Sequence, residues 1–401
     1  MKISCAYRYE LKPNCAQQVL LAKHAGVARF AFNWGLAQRK ALYEEEKKST
    51  NAIEQHRLLN SLKHSEFPWM YEVSKCAPQE ALRDLDRAFQ NFYRGIRQGQ
   101  QIGFPKFKKK YERDSFRLTG TIKIEGSQVQ LPRLGKIRLK EISKVRGKIL
   151  SATLIREADR WYVNLAVELE RPDPQPVQGD KVGIDLGLSC FAALSSGEKI
   201  YAPKPLAQSL QCLKRASRRH SRKLQGSNNR KKSARRLSCL HRKNRNIRRD
   251  FLHKQSTILA KTKSVIVLED LDVKSLSRRN RLSRSISDAG WGEFRRMLEY
   301  KTRWYGSTLN LAPRYYPSSK TCSKCSHQVK ELPLSIRQWE CTECRTIHDR
   351  DVNAAKNLLR FSTGSSPGTN ACGDTSGGAR QLVSHVSLKQ EVMNGIFVHK
   401  L

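Results

Sequence analysis

"CTECRTIHDRDVNAAKNLL", residues 341 to 359, joins two kinds of metal-binding chemistry within nineteen residues. It opens on a CxxC pair, and a few residues later come two aspartates, Asp349 and Asp351, ahead of alanines and asparagines spaced like a helix start. Fifteen residues separate Cys341 from the end of a second CxxC pair, so the outward pattern is Cys322-x-x-Cys325 and Cys341-x-x-Cys344. Each such turn offers two thiolates to one face of a tetrahedral ion, and the four cysteines predict a zinc ribbon. Four thiolates close the coordination shell, so this zinc is expected to be structural and chemistry has to be sought elsewhere. His327 and His348 are read as bystanders.

Two further acids sit in the setting of Asp351. Asp185 follows "VGI", and Glu269 follows "VIVL", an apolar run too short for a helix and therefore a buried strand. "KVGIDLGLSCFAALSSGEKIYA" predicts a strand, a turn at Gly187 and a second strand. Singly, an acid at a strand end is an ordinary capping or surface residue. Jointly, strand-end acids of an α/β sheet converge at the edge where ligands bind. Three carboxylates there suit two Mg²⁺ ions about 4 Å apart, one activating water and one stabilising the leaving oxygen in attack on a phosphodiester. The metals also invert the local charge, which lets acids approach phosphate.

Composition points to the same kind of partner. The 401 residues include 76 Lys and Arg against 36 Asp and Glu, a formal charge of +40. Each phosphate neutralised by a basic side chain releases condensed counterions, so nucleic acid is the expected partner, with RNA and DNA not separated by charge alone. A hydrophobic content of 38% supports real cores and excludes global disorder. There is no run of about 18 apolar residues, and "MKISCAYRYELKPN" lacks the apolar core of a signal peptide. The expectation is an intracellular protein with no membrane contact. Seven cysteines (Cys5, Cys15, Cys76, Cys190, Cys212, Cys239, Cys372) follow no spacing logic and suit free or buried thiols in a reducing compartment.

Along the chain, Asn14 is suited to cap a helix whose apolar residues Leu21, Ala25, Ala28 and Phe32 recur at helical spacing. A second helix is predicted from Pro78 through "QEALRDLDRAFQNFYRGIR", ended by "GQQIGFPKFKKK". "TIKIEG", "QVQLPRLGKIRLK", "KILSATLIR" and "RWYVNLAVELE" alternate like antiparallel strands and predict a small β-barrel or sheet. "RPDPQPVQGD" reads as a linker. Lys214 to Arg249 holds sixteen Lys or Arg and no acid, read as two basic helices broken at "GSNN". Such a run is either a solvated face or, because like charges repel, a seat for a polyanion, with Arg218, Arg222 and Arg235 as candidate contacts. Phe104, Lys106 and Lys108 of "FPKFKKKY" either stack on and clamp nucleic acid or form a hydrophobic anchor with solvated lysines. An amphipathic helix is expected to be entered through Ser287 or Asp288, and the Gly/Ser/Thr-rich tail after Phe361 is expected to be disordered.

"GIDLG", "VLEDL" and "HDRDVNAAKNL" resemble the three motifs of the RuvC-like, RNase H-type nuclease domain found in the TnpB (OrfB) family of insertion sequences, with a zinc ribbon ahead of the third. "GVARFAFNWGLA", "ALRDLDRAFQNFYR", "GFPKFKKK", "LPRLGKIR", "SISDAGWGEF" and "YYPSSKTCSKC" carry the likeness over residues 1 to 361. The resemblance implies an N-terminal helical lobe with a small β-barrel (REC/WED-like), then an α/β RNase H-like (RuvC) nuclease domain with an inserted zinc ribbon. In residues, it implies a barrel at 1–13 and 112–170, a helical recognition domain at 14–111, a linker at 171–180, a nuclease domain at 181–315 and 346–361, a ribbon at 316–345 and a disordered tail at 362–401.

The family, related to type V CRISPR effectors, uses an RNA from the transposon end to guide cleavage of double-stranded DNA beside a short transposon-adjacent motif, through one RuvC site. The implied location is the cytoplasm, on the nucleoid. By motif match Asp185, Glu269 and Asp351 are the catalytic, Mg²⁺-binding residues, and Asp349 is a neighbour that positions. Lys75 and Gln79 correspond to the region that reads the adjacent motif, or are plain surface residues; a helix starting at Pro78 would leave Lys75 on a loop. The competing readings are a guided DNA binder without cleavage, an RNase H-fold transposase that joins DNA ends, and, more remotely, a zinc-ribbon transcription factor.

Overall fold

Strand β1 (Lys2–Lys12) leads into helix α1 (Cys15–Glu46) across Asn14, whose side chain accepts the Gln17 N–H at 2.8 Å while Gln17 returns a bond to the Asn14 N–H. This reciprocal pairing satisfies two amides that a helix start leaves without partners. The computed structural model describes residues 1–110, 112–278, 282–314, 316–333 and 335–362; the expected tail lies outside them from residue 363 on. The described residues form two compact units, Met1–Arg171 and the chain from Pro172 onward.

In the first unit α1 is followed by α2 (Ala52–Leu62), a short 3-10 turn (Pro68–Glu72) and α3 (Cys76–Arg97). Helix α3 starts two residues ahead of the expected Pro78. The proline is its third residue, where the missing N–H costs nothing because first-turn amides have no partner inside the helix. Strands β2 (Ser115–Leu118), β3 (Lys123–Glu125), β4 (Gln128–Leu131), β5 (Gly135–Leu139), β6 (Lys148–Glu157) and β7 (Arg160–Glu170) join β1 in one antiparallel sheet, ordered β2-β6-β7-β1-β5-β4-β3. Val163, Leu165, Val167 and Leu169 alternate along β7 into a core shared with Leu21, Ala25, Ala28 and Phe32 of α1.

The second unit opens with residues 172–180, which form neither helix nor strand. They are fastened rather than loose, with Val177 N–H bonded to the Gly306 carbonyl at 3.1 Å and Ser264 N–H to that of Asp180 at 3.2 Å. Strands β8 (Val182–Leu186), β9 (Ala192–Leu194) and β10 (Lys199–Ile200) precede the basic helices α4 (Pro205–Ser221) and α5 (Asn228–Thr262). Then come β11 (Val265–Glu269), α6 (Val273–Arg278), α7 (Ser283–Ala289), α8 (Trp291–Tyr305) and β12 (Thr308–Ala312). A two-stranded ribbon, β13 (Gln338–Glu340) with β14 (Ile347–Asp349), runs into α9 (Arg350–Ser362).

The central sheet is ordered β10-β9-β8-β11-β12, with β8, β11 and β12 parallel and β9 and β10 antiparallel to their neighbours. Ser287 and Asp288 do not open the amphipathic helix. They end α7, and Gly290, at φ 71°, turns the chain into α8 at Trp291. Asp288 is buried instead as a cap for another helix, its carboxylate accepting the N–H groups of Leu206 (3.0 Å) and Ala207 (3.3 Å) at the start of α4.

Candidate active site and metal centre

Parity along two strands sets the site. Val182 and Ile184 of β8, with Ile266 and Leu268 of β11, join one core with Leu252 and Leu259 of α5 and Phe294 and Leu298 of α8. The alternate residues face α9: Val267 packs with Leu358, and Gly183 lies so close beneath the helix that an added Cβ would sit 2.0 Å from the Ala355 carbonyl oxygen. Side chains two residues apart on a strand share a face, so Asp185 and Glu269 project on the α9 side. The strands run parallel in the register Leu268↔Ile184, and the next row is Glu269 beside Asp185. On α9, Asp351 precedes Ala355 by one turn, on the stripe that meets the sheet.

Electrostatics agree that the three acids share one space. Burial first, then the charges of Asp351 and Glu269, push the Asp185 carboxyl up to about 7. Glu269 is also raised, chiefly by burial. Asp270, one residue on and so on the opposite face, behaves oppositely: a hydrogen bond from Arg295, helped by Arg314, lowers its pKa. It lines a cleft of about 300 Å³ with Leu186, Trp291, Arg295 and Arg314. The Asp351 carboxylate has the Arg337 guanidinium 3.4 Å from Oδ1 and the Cys190 thiol 3.7 Å from Oδ2. Among the described residues the acids are not drawn together as tightly as the cysteines are. Three carboxylates in one space, two of them close enough to push the third, Asp185, upward, are a donor set suited to a hard divalent cation such as Mg²⁺.

Asp349 has both oxygens committed. Oδ1 accepts the Val352 N–H at 3.1 Å, capping α9, and Oδ2 pairs with Lys199 at 2.6 Å. Burial opposes its charge, but these bonds prevail and hold its pKa below the usual range. Lys199 was not foreseen, yet register accounts for it: Lys199 opposes Ala193, which opposes Asp185, so the lysine stands in the same row across the sheet.

The four cysteine sulfurs lie within 4.8 Å of one another, with Cys322–Cys344 at 3.6 Å and Cys325–Cys341 at 3.5 Å. Sulfurs about 2.3 Å from a shared zinc stand about 3.8 Å apart in a tetrahedron, so the cluster fits that ion. His348 lies outside the four-sulfur cluster, as expected, but touches it. Its Nε2 is 3.0 Å from the Cys322 sulfur, and its ring packs on Trp339 with centroids 4.9 Å apart. His327 contributes through its backbone, its carbonyl accepting the Cys322 N–H at 2.8 Å. Two buried side chains of α9, Asn353 and Asn357, bond the backbone around Cys322, which the sequence pattern did not reveal.

The nominated nucleic-acid contacts are dispersed. Lys75 is exposed ahead of α3, and Gln79 is half-buried in its first turn. Phe104 packs edge-on against Phe89 and Phe92, and Lys40 lies 5.4 Å from its ring centre. Lys106 is exposed, whereas the Lys108 ammonium rests 3.8 Å over the Phe32 ring. Arg218, Arg222 and Arg235 are exposed along α4 and α5 or just past α4. Among the described residues no helix is long and apolar enough to cross a membrane.

Comparison with known proteins gives this geometry a lineage. Residues 164–280 match the OrfB_IS605 family, described as "Probable transposase", residues 291–358 a Cas12f1-like TNB domain, and residues 1–48 a helix-turn-helix domain. Over that last range the structure has one strand and one long helix, β1 and α1. A Streptomyces pristinaespiralis protein named "Putative RNA-guided DNA endonuclease" is 36% identical over 380 residues, 93% of this chain and 92% of its own. The "Putative RNA-guided DNA endonuclease InsQ" of Escherichia coli K12 is 33% identical over 377 residues, 90% of this chain and 92% of its own. The solved "Cas12f1-sgRNA-target DNA complex" contains a chain with a TM-score of 0.54 at 13% identity, covering 89% of this chain and 99% of that one. The class is therefore a Cas12-like multi-domain fold carrying a zinc-ribbon-type cysteine cluster. The chain belongs to the TnpB (OrfB) family of insertion sequences.

Proposed function

We propose that this protein is an RNA-guided DNA endonuclease of a transposon, cutting double-stranded DNA beside a short transposon-adjacent motif at a RuvC-type site formed by Asp185, Glu269 and Asp351. The observation that carries the reading is the parallel register Leu268↔Ile184, one residue short of Glu269 and Asp185, on strands whose α9 face places both acids beneath a helix whose first turn bears Asp351. The sheet order β10-β9-β8-β11-β12, three meandering strands followed by two parallel ones, supports the RNase H-type assignment. The names of the relatives support guided cleavage as the activity.

Bound Mg²⁺ would supply Lewis acidity and an activated water. The chain's own part is to hold three carboxylates in a partly buried edge, where their repulsion would favour a cation and Asp185 would give up its proton to one. Arg337 and Cys190 orient the Asp351 carboxylate, while Lys199 keeps Asp349 out of the ligand set. The cysteine cluster, loaded with zinc, fixes the insertion from which α9 departs. The basic faces of α4 and α5 are suited to the RNA and DNA backbones.

The test is cleavage of supercoiled plasmids with randomised flanks by the protein purified with RNA from its transposon context. Expected are linear products that require Mg²⁺ and a guide match, with Asp185→Ala, Glu269→Ala and Asp351→Ala each abolishing cutting while guided binding persists. Cutting that survives Asp185→Ala, or binding indifferent to the guide, would remove the proposal.

A further inference from the structure

We propose that Asn353 is a positioning residue through which the zinc ribbon sets the place of the Asp351 carboxylate, making the thiolate centre and the carboxylate site share the first turns of α9. The inference rests on the reading of Asp351 as a metal ligand. Asn353 is 1% exposed, and its amide straddles a cysteine ligand: Oδ1 accepts the Ser323 N–H at 2.9 Å and Nδ2 donates to the Thr321 carbonyl at 2.7 Å. Those two residues flank Cys322. One turn on, Asn357, 2% exposed, donates to the carbonyls of Ser318 (2.8 Å) and Thr321 (2.5 Å).

The other arm of the ribbon holds the same turn. Arg350 N–H bonds the Arg337 carbonyl at 2.8 Å, the Arg350 guanidinium bonds the Pro333 carbonyl at 2.7 Å, and Arg337 itself reaches Asp351. Asp351 therefore starts a helix gripped by ribbon backbone from residues 318–323 and from 333–337. Buried amide groups that lose these partners have no water to replace them, so the grip has few alternative geometries. A shift of Cys322 on loss of its metal is carried by Asn353 to a carboxylate two residues away. Groups that orient a ligand in this way are worth about ten- to a hundredfold in metal affinity.

Two measurements on the RNA-bound protein test the coupling: the rate at which zinc passes to a chromophoric chelator, and the Mg²⁺ concentration giving half-maximal cleavage. For Asn353→Ala both are expected to rise about tenfold, with excess Mg²⁺ restoring most of the rate. Wild-type protein stripped of zinc should show the same raised Mg²⁺ requirement. A merely structural role would lower the amount of active protein and leave half-saturation unchanged, and that result overturns the inference. Should Asn353→Ala not fold, Asn353→Asp keeps the acceptor for Ser323 while removing the donor to Thr321, and zinc-stripped wild type needs no substitution. An unchanged Mg²⁺ requirement in either overturns the coupling alone, whereas cleavage surviving in Asp351→Ala removes the reading beneath it.

Discussion

The α-hydrogen of Gly183 occupies a position where a Cβ would lie 2.0 Å from the carbonyl oxygen of Ala355 and 2.7 Å from the backbone nitrogen of Leu359. Both are backbone atoms of α9, so neither can swing aside as a side chain would. Gly183→Ala is expected to lift α9 from β8, destabilise the protein by about 3 kcal/mol and separate Asp351 from Asp185. Denaturant unfolding and cleavage rate should both fall, with cleavage lost even under conditions where the variant is fully folded. Full activity would show that α9 does not need this contact.

Asp349 and Asp351 should separate cleanly by substitution. Removing the Asp349 side chain deletes the cap on Val352 N–H and the partner of Lys199, at about 1 kcal/mol of stability. Cleavage by Asp349→Ala is expected to slow yet remain measurable, against none for Asp351→Ala, in time courses at saturating Mg²⁺. Equal loss from both would make Asp349 a ligand.

The raised pKa of Asp185 fixes a direction for pH dependence. In the metal-free folded protein this carboxyl keeps its proton to about pH 7, whereas the unfolded chain releases it near pH 4. Between those values the folded state binds more protons, so the contribution of Asp185 to stability falls as pH rises. With divalent ions removed, Asp185→Asn should melt above the wild type at pH 8, the gap narrowing towards pH 4. Adding Mg²⁺ at pH 8 should raise the melting temperature of the wild type and not of the variant. Parallel melting curves across this range would contradict the shared site.

Asp288 gives a test of how the basic helices are held. Its carboxylate caps α4 from α7 and lies 3.5 Å from Arg248 of α5, so Asp288→Ala leaves two amides and a guanidinium without their acceptor. A loss of about 2 kcal/mol is expected from urea titration, with Asp288→Asn, which retains one acceptor oxygen, losing less. RNA affinity should weaken in step, read by filter binding across a salt series. An unaltered salt dependence would separate α4 from the RNA.

Much of this site was legible because its chemistry is local in sequence. The two CxxC turns and the apolar runs ending at Asp185 and Glu269 each carry their meaning within a few residues. Other features were invisible for a physical reason: their partners are brought in by folding. Lys199 reaches Asp349 only through sheet register, and Asn353 looked like an ordinary residue of a helix start until Cys322 lay against it. Ser287 and Asp288 misled for a related reason. They are good caps by type, and Asp288 is one, but for a helix some eighty residues earlier in the chain.

The donor chemistry is written in the chain: four thiols at ribbon spacing, three acids in strand-end and helix-start settings, and a charge of +40 that calls for a polyanion. Side-chain type and short-range spacing are properties of the chain alone. That the acids come within reach of one another's charge is a matter of folding. Parallel register sets Glu269 beside Asp185, strand parity turns both towards α9, and a missing Cβ at Gly183 lets that helix bring Asp351 down to them. Those are relations between segments more than eighty residues apart, fixed by packing and hydrogen-bond register that no local pattern encodes.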